Sequence, residues 1–106
     1  MSTPLHGDVW WAEAPDLGRR PMLVVTRDAA IPVLSRVLVA PVTRTVRSIP
    51  TEVALGTAEG LHHECAASFD NLQPIPRAAL VERAGALSAE RRADICRALG
   101  AVSDCW

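Results

Sequence analysis

Short apolar runs, each about as long as a β-strand, are the feature of this sequence that most constrains its fold. The longest are Pro21 to Val25 and Val37 to Val42. Neither approaches the roughly 20 apolar residues that a membrane-spanning helix needs. The chain has 106 residues and is 49% hydrophobic, which is enough for one core and too little for two ordinary domains. The sequence therefore predicts a single soluble domain over residues 1–106, with no membrane segment.

Glycine, proline and small polar residues separate these runs and divide the chain into six expected strands. The expected strands are residues 7–12, 21–27, 34–42, 50–55, 66–71 and 80–86. The third is apolar almost throughout, so we expect it to be buried on both faces. Residues 75–79 could form a helical turn. Six short strands predict a mainly β fold, a small barrel.

The C-terminal part of the chain has the apolar spacing of a helix. Ile95, Leu99 and Val102 recur at intervals of four and three residues, which places them on one helix face. Ser88 is of a type that favours the N-cap position. The pattern predicts an amphipathic helix that ends near Gly100 and follows the last strand.

Cysteine and histidine do not predict a metal site or disulfides. The chain has three cysteines, at positions 65, 96 and 105, and this odd, scattered set fits reduced thiols. The segment His62, His63, Glu64 and Cys65 is too short to supply a tetrahedral ligand set by itself. Residues 1–6 lack the pattern of a signal peptide. We therefore expect a cytoplasmic protein that needs no metal and no cofactor.

Charge is unevenly distributed along the chain, although the formal net charge is only -1. Residues 19–47 contain six arginines and one acidic residue, Asp28. Such a local basic region suits a phosphate backbone. All eleven basic residues are arginine; a GC-rich genome would explain that choice, although the planar guanidinium also suits phosphate.

Arg20 and Thr43 are the candidate residues for phosphate chemistry. Proline at position 21 favours extended backbone for Arg20, which places its side chain at the entrance of the second expected strand. A guanidinium can bind two phosphate oxygens and stabilise the charge that builds during phosphoryl transfer. Thr43 ends the third expected strand, and its hydroxyl could donate to the same phosphate. Either residue alone fits an ordinary strand end; if the two strands are neighbours, both lie at one rim.

Five segments in fixed order resemble the MazF/PemK family of toxin endoribonucleases. They are residues 7–11 (GDVWW), 18–26 (GRRPMLVVT), 39–43 (VAPVT), 49–53 (IPTEV) and 85–88 (GALS). The resemblance implies an SH3-like barrel and a homodimer that binds RNA across its interface. It implies cleavage of single-stranded RNA at short sequences without a metal ion, in which the 2′-hydroxyl attacks and leaves a 2′,3′-cyclic phosphate and a 5′-hydroxyl. It also implies a cognate antitoxin whose disordered C-terminal segment, acidic and hydrophobic, folds on binding.

The resemblance maps the family's catalytic arginine onto Arg20 and its catalytic threonine onto Thr43. An acidic or polar position in the fifth strand maps onto Asp70. Since an arginine keeps its proton, Asp70 is the first candidate for the general base. A structural role for Asp70 remains equally open, and His62 or His63 could be the base if their loop covers the site.

Four further residues are expected to contact RNA: Arg19, Arg44, Thr45 and Arg47. Arg44 replaces the serine or threonine that many family members have, and extra phosphate contacts of this kind add affinity more than sequence choice. The segment 61–65 is unusual for the family, so the cleavage sequence stays open. Trp10 and Trp11 are adjacent and face opposite sides of a strand, so we expect at least one of them in the core or the dimer interface.

Two alternatives share the expected barrel. One is a toxin like CcdB, which inhibits gyrase and does not cut RNA; the other is an SH3-like module that binds only protein. Neither requires the pair formed by Arg20 and Thr43. The pair therefore favours the nuclease.

Overall fold

Seven antiparallel strands and a C-terminal helix make up the part of the chain that the computed structural model describes, residues 3–16 and 18–105. Residues 1, 2, 17 and 106 of the expected domain lie outside this description. The strands are β1 (Asp8–Ala14), β2 (Gly18–Val24), β3 (Arg36–Thr43), β4 (Glu52–Leu55), β5 (Cys65–Ser68), β6 (Gln73–Pro76) and β7 (Leu80–Ala86). The helix is α1 (Ala93–Ser103), and short 3₁₀ turns lie at Thr57–Glu59, Phe69–Asn71, Arg77–Ala79 and Ala89–Arg92. The expectation of a mainly β fold with a C-terminal helix is confirmed.

The strands form one curled sheet in the order β4-β5-β3-β2-β1-β7, and β6 pairs with β3 beside this path. β3 has three neighbours. It pairs with β2 through residues 39–41, with β5 through Val42 and Thr43, and with β6 through residues 36–39. The 3₁₀ turn between β5 and β6 therefore lies against the C-terminal half of β3, beside the start of β2.

Each face of the sheet has its own apolar cluster. Val9, Leu23 and Val42 belong to the cluster that α1 covers through Ile95 and Ala98. The opposite face carries a second cluster, whose members include Trp10, Met22, Val24, Val37, Val39 and Ile75. The third expected strand is buried on both sides, as its composition predicts. Since residues of a strand alternate between faces, β3 contributes to both clusters.

Three strand predictions were wrong in detail. β2 begins at Gly18, because Arg19 and Arg20 pair with β1, so Arg20 lies inside the strand instead of at its entrance. The fifth strand ends at Ser68, and Asp70 lies on the 3₁₀ turn that follows. A seventh strand, β6, was missed because its two prolines argue against a strand inside a sheet. Within the described residues β6 pairs with β3 on one side only, and a strand at an edge tolerates proline.

The predicted helix is also shifted. The 3₁₀ turn Ala89–Arg92 follows Ser88, whose side chain makes no capping hydrogen bond. The helix continues past Gly100 to Ser103 and ends at Asp104, which adopts a left-handed conformation with φ 56°. The helical turn expected at residues 75–79 is confirmed only for Arg77–Ala79, since Ile75 and Pro76 belong to β6. No helix in the described ranges is long and apolar enough to span a membrane.

Two glycines hold the segment between β4 and β5 against β7. A Cβ added to Gly60 would overlap the carbonyl oxygen of Ala84, and one added to Gly85 would overlap that of Glu59. Gly60 also has φ +87°, a conformation that favours glycine. The close approach of the two backbones fixes the path of the residues that follow Gly60.

Candidate active site

A polar pocket of about 640 Å³ lies where the first half of β2, the end of β3 and the turn after β5 meet. Its polar side chains include Arg20, Thr43, Arg47, Ser68, Asp70 and Asn71. All three predicted catalytic residues thus line one pocket, and one of the four predicted RNA contacts, Arg47, lines it as well. The antiparallel topology brings them together.

Arg20 reaches the pocket from β2. Met22 pairs with Pro41 in the antiparallel register, and two residues further along the same face Arg20 comes to lie beside Thr43. Nη2 of Arg20 donates to the carbonyl oxygen of Val42 at 3.4 Å. This is the one hydrogen bond of its side chain among the described residues, so the remaining guanidinium donors are available for an anion.

Thr43 is half-buried at the last position of β3. Its Oγ1 accepts a hydrogen bond from the backbone N–H of Thr45 at 3.1 Å. A hydroxyl that accepts this bond still has its own proton to donate. Thr45 therefore contributes through its backbone, by orienting the Thr43 hydroxyl, and its side chain does not line the pocket.

Asp70 is exposed on the turn after β5, with the buried Phe69 beside it. Its Oδ2 accepts a hydrogen bond from Oγ1 of Thr51 at 2.7 Å. Next to it, the N–H of Phe69 donates to the carbonyl oxygen of Thr51 at 2.9 Å. The first bond orients the carboxylate, and the second fixes the backbone of the turn that carries it. Within the described residues, Oδ1 of Asp70 has no protein partner.

Arg47 is presented by a loop whose backbone is fixed from inside the protein. Oε1 of the buried Glu52 accepts the N–H groups of Arg47 at 2.9 Å and Ser48 at 3.0 Å. Nη2 of Arg97, on α1, donates to the Glu52 carbonyl oxygen at 3.0 Å. Within residues 3–16 and 18–105, no acidic side chain pairs with the Arg47 guanidinium. Sequence reasoning missed Glu52; an acidic residue just after an arginine-rich loop was the available signal.

Arg19 lies away from the pocket, because adjacent residues of β2 face opposite sides. Its guanidinium pairs with Glu13 at 3.1 Å and Glu82 at 3.2 Å. It also lies 5.0 Å from the centre of the Trp11 ring. The structure therefore does not bring Arg19 together with Arg20, and two carboxylates compensate its charge.

Arg44, His62 and His63 line a separate cavity on the other side of the strand ends. The structure thus does not place either histidine in the polar pocket, where a general base would have to act. No group of three or more His, Cys, Asp or Glu side chains within the described ranges is arranged to hold a metal ion.

Trp10 is 4% exposed, and its Nε1 donates to the buried Asp8 at 3.0 Å. The expectation that at least one of the two adjacent tryptophans lies in the core is confirmed. The three cysteines are free thiols; Cys65 is buried, and Cys96 and Cys105 are exposed. Burial, and secondarily the charge of Glu59, raises the pKa of the Cys65 thiol.

The fold and the pocket define a small, mainly β protein whose two central strands bring an arginine and a threonine to one cationic site. Residues 5–103 match the model of the PemK-like, MazF-like toxins of type II toxin-antitoxin systems. The probable endoribonuclease MazF5 of Mycobacterium tuberculosis is 43% identical over 103 residues, which cover 96% of this chain and 94% of that protein. The chain therefore belongs to the PemK-like, MazF-like toxin family.

Solved structures agree with this assignment. The M. tuberculosis toxin MazF-mt6 superposes with a TM-score of 0.84 at 35% identity, over 92% of this chain and 96% of that one. A mycobacterial endoribonuclease solved in complex with its cognate antitoxin has a TM-score of 0.81 at 27% identity, over 95% of each chain. The relatives thus match the chain over nearly its whole length.

Proposed function

We propose that this protein is an endoribonuclease toxin that cleaves single-stranded RNA at short specific sequences and is neutralised by a cognate antitoxin. The observation that carries the proposal is the meeting of Arg20, Thr43 and Asp70 in one pocket at the end of the central strands. Membership of the toxin family supports it, as do relatives named as endoribonucleases. Such a toxin would arrest translation and growth from within the cytoplasm.

The reaction begins when the ribose 2′-oxygen attacks the adjacent phosphorus. The bond from phosphorus to the 5′-oxygen breaks, which leaves a 2′,3′-cyclic phosphate and a 5′-hydroxyl. Asp70 accepts the proton of the 2′-hydroxyl, and the leaving 5′-oxygen takes up a proton from water. The guanidinium of Arg20 and the hydroxyl of Thr43 donate to the phosphoryl oxygens, where negative charge builds in the transition state. No step requires a metal ion.

The charges of the pocket suit an RNA backbone. Arg20 and Arg47 are two cations against the single carboxylate of Asp70. The resulting positive charge of the pocket favours binding of a negatively charged phosphate of the substrate. Arg47 and Arg44 lie on the loop beyond β3 and extend the cationic surface to neighbouring phosphates. Such contacts position the RNA strand without reading its bases.

The partners follow from the same surface. An antitoxin with a disordered acidic and hydrophobic C-terminal segment would cover the cationic rim and exclude RNA. A neighbour of the same fold was solved in complex with its cognate antitoxin, which supports a protein partner of this kind. We further propose a homodimer that binds RNA across its interface.

Cleavage of a long single-stranded RNA by purified protein tests the proposal. Wild type should give discrete fragments with 5′-hydroxyl and 2′,3′-cyclic phosphate ends, with or without EDTA. Arg20→Ala should lower the rate by about 10²–10³-fold, the usual cost of losing a donor to a developing anion, and Thr43→Ala should also remove most activity. Arg19→Ala is the matched control, since that neighbouring arginine lies outside the pocket.

Circular dichroism should show that all variants are folded. Full activity in Arg20→Ala or Thr43→Ala would overturn the site. Growth arrest with intact RNA and failing DNA supercoiling would instead support a toxin of the gyrase-inhibiting kind, and RNA left uncut with neither effect would support a protein-binding module.

A further inference from the structure

A second cavity, of about 380 Å³, lies across the ends of β2 and β3 from the polar pocket. The side chains of Trp11, Val42 and Leu61 form apolar walls. Arg44, His62 and His63 stand at its exposed edge. None of these side chains takes part in the proposed chemical step, and among them only Arg44 has a proposed role in RNA binding.

The cavity and the polar pocket lie on opposite sides of the same strand ends. Pro21, which lines the cavity, follows Arg20, and Val42 and Arg44 flank Thr43. Successive residues of a strand face opposite sides. An RNA strand that crosses this rim with one phosphate at Arg20 therefore brings a neighbouring nucleotide to the cavity.

The chemistry of the cavity fits a nucleobase. Its size falls in the range of small-molecule sites, about 300–1,000 Å³. Bases of single-stranded RNA stack on aromatic rings, histidine included, and on the guanidinium plane of arginine. No carboxylate lines this cavity, so nothing in its described wall repels a nucleotide. We propose that the cavity binds the base next to the scissile phosphate and that His62 and His63 select that base, an inference that rests on the proposed ribonuclease activity.

The segment that carries the two histidines is held in place although their side chains are exposed. The N–H of Leu61 donates to the carbonyl oxygen of Gly56 at 3.1 Å. The Cys65 thiol lies 3.4 Å from the carbonyl oxygen of His63 and donates to it. Together with the contact of Gly60 against β7, these bonds fix the backbone before any ligand binds, and preorganisation of this kind lowers the entropic cost of binding.

Removal of both imidazoles tests the inference. The variant His62→Ala/His63→Ala loses two exposed side chains and should fold normally. Glu64→Ala is the matched control, since this exposed neighbour lies outside the cavity. The first measurement is the binding of uridine, adenosine and cytidine octamers, followed by quenching of tryptophan fluorescence, to which Trp11 contributes from the cavity wall.

Wild type should prefer one octamer. The double variant should bind that octamer about tenfold more weakly, as expected when base stacking is lost, and Glu64→Ala should behave as wild type. The second measurement maps the 5′ ends of fragments from a long RNA. The double variant should still cut, but with a relaxed preference at one position beside the cut.

Unchanged octamer affinities, or no quenching by any octamer, would overturn the inference, and so would unchanged cut sites. The octamer measurement does not depend on cleavage. If wild type cut no RNA, the proposed function would fail while the binding results still decided the role of the cavity. If the double variant kept its RNA preference but escaped neutralisation by a co-expressed cognate antitoxin, the cavity would belong to the protein partner and the inference would be wrong.

Discussion

Thr51 donates a hydrogen bond from Oγ1 to Oδ2 of Asp70 at 2.7 Å, and this bond joins the residue before β4 to the turn after β5. Thr51 comes just before β4, and Asp70 comes two residues after β5. These two strands are paired, with Glu52 opposite Ser68. The carboxylate of Asp70 therefore has one oxygen oriented by Thr51 and one left for the 2′-hydroxyl. On this geometry Thr51 is a positioning residue for the proposed base.

Replacing the hydroxyl of Thr51 should weaken catalysis without weakening substrate binding. Thr51→Val keeps the shape and removes the donor, so Asp70 loses its fixed orientation; we expect kcat to fall roughly tenfold at unchanged KM. Thr51→Ser should restore most of the rate. Steady-state kinetics on a short RNA substrate provide the measurement. An unchanged kcat in Thr51→Val, or a failure of serine to rescue it, would show that the bond has no catalytic role.

Arg47 and Arg19 should differ in their contribution to RNA affinity. Arg47 lines the polar pocket without an acidic partner in the described chain, whereas Arg19 is paired with Glu13 and Glu82. Each phosphate contact contributes a fixed amount to the salt dependence of binding. Arg47→Ala should reduce the slope of log K against log salt by about 0.7, the single-strand value for one contact. Arg19→Ala should leave the slope nearly unchanged, and equal slopes for the two variants would contradict the assignment.

The placement of Arg20 and Thr43 could be predicted from the sequence because it depends on topology alone. In antiparallel neighbours, the start of one strand and the end of the next must share a rim. The composition of β3 likewise predicted burial on both faces. These features follow from residue order and apolar patterning, and neither requires the exact strand boundaries, several of which were wrong.

The remaining features depend on contacts between distant segments, which local patterns do not encode. β6 contains Pro74 and Pro76 and forms because β3 offers it a partner. The histidines could not be placed, since their position depends on the backbone contact between Gly60 and Gly85. The role of Glu52 became visible only when the fold brought its carboxylate under the loop of Arg47.

Cys65 should be the least reactive of the three thiols. Burial raises its pKa above the ordinary thiol value, and Cys96 and Cys105 are exposed. Since the thiolate is the nucleophile, alkylation by iodoacetamide in native protein should modify Cys65 last, as followed by peptide mass spectrometry. Equal alkylation rates at all three positions would contradict the burial of Cys65.

The raised pKa of Cys65 also makes the stability of the protein depend on pH. As the pH rises above the ordinary thiol pKa, the unfolded chain loses the Cys65 proton before the folded protein does, so the free energy of unfolding should fall.

Gly60 should tolerate substitution far less well than Gly56 in the same segment. Gly60 has φ +87°, and a Cβ added to it would overlap the carbonyl oxygen of Ala84. Gly56 has φ -170°, which is ordinary extended backbone, and a Cβ added to it would meet nothing within 4 Å. Gly60→Ala should therefore cost at least about 2 kcal/mol of unfolding free energy. For a domain of this size that lowers Tm by roughly 10 °C, while Gly56→Ala should stay close to wild type.

Thermal denaturation followed by circular dichroism measures both variants. Because Gly60 also fixes the path of His62 and His63, Gly60→Ala should weaken binding of the preferred octamer below the melting transition. A Gly60→Ala protein as stable as Gly56→Ala would mean that the segment does not rest on β7. The cavity would then lack the rigid wall on which its selectivity depends.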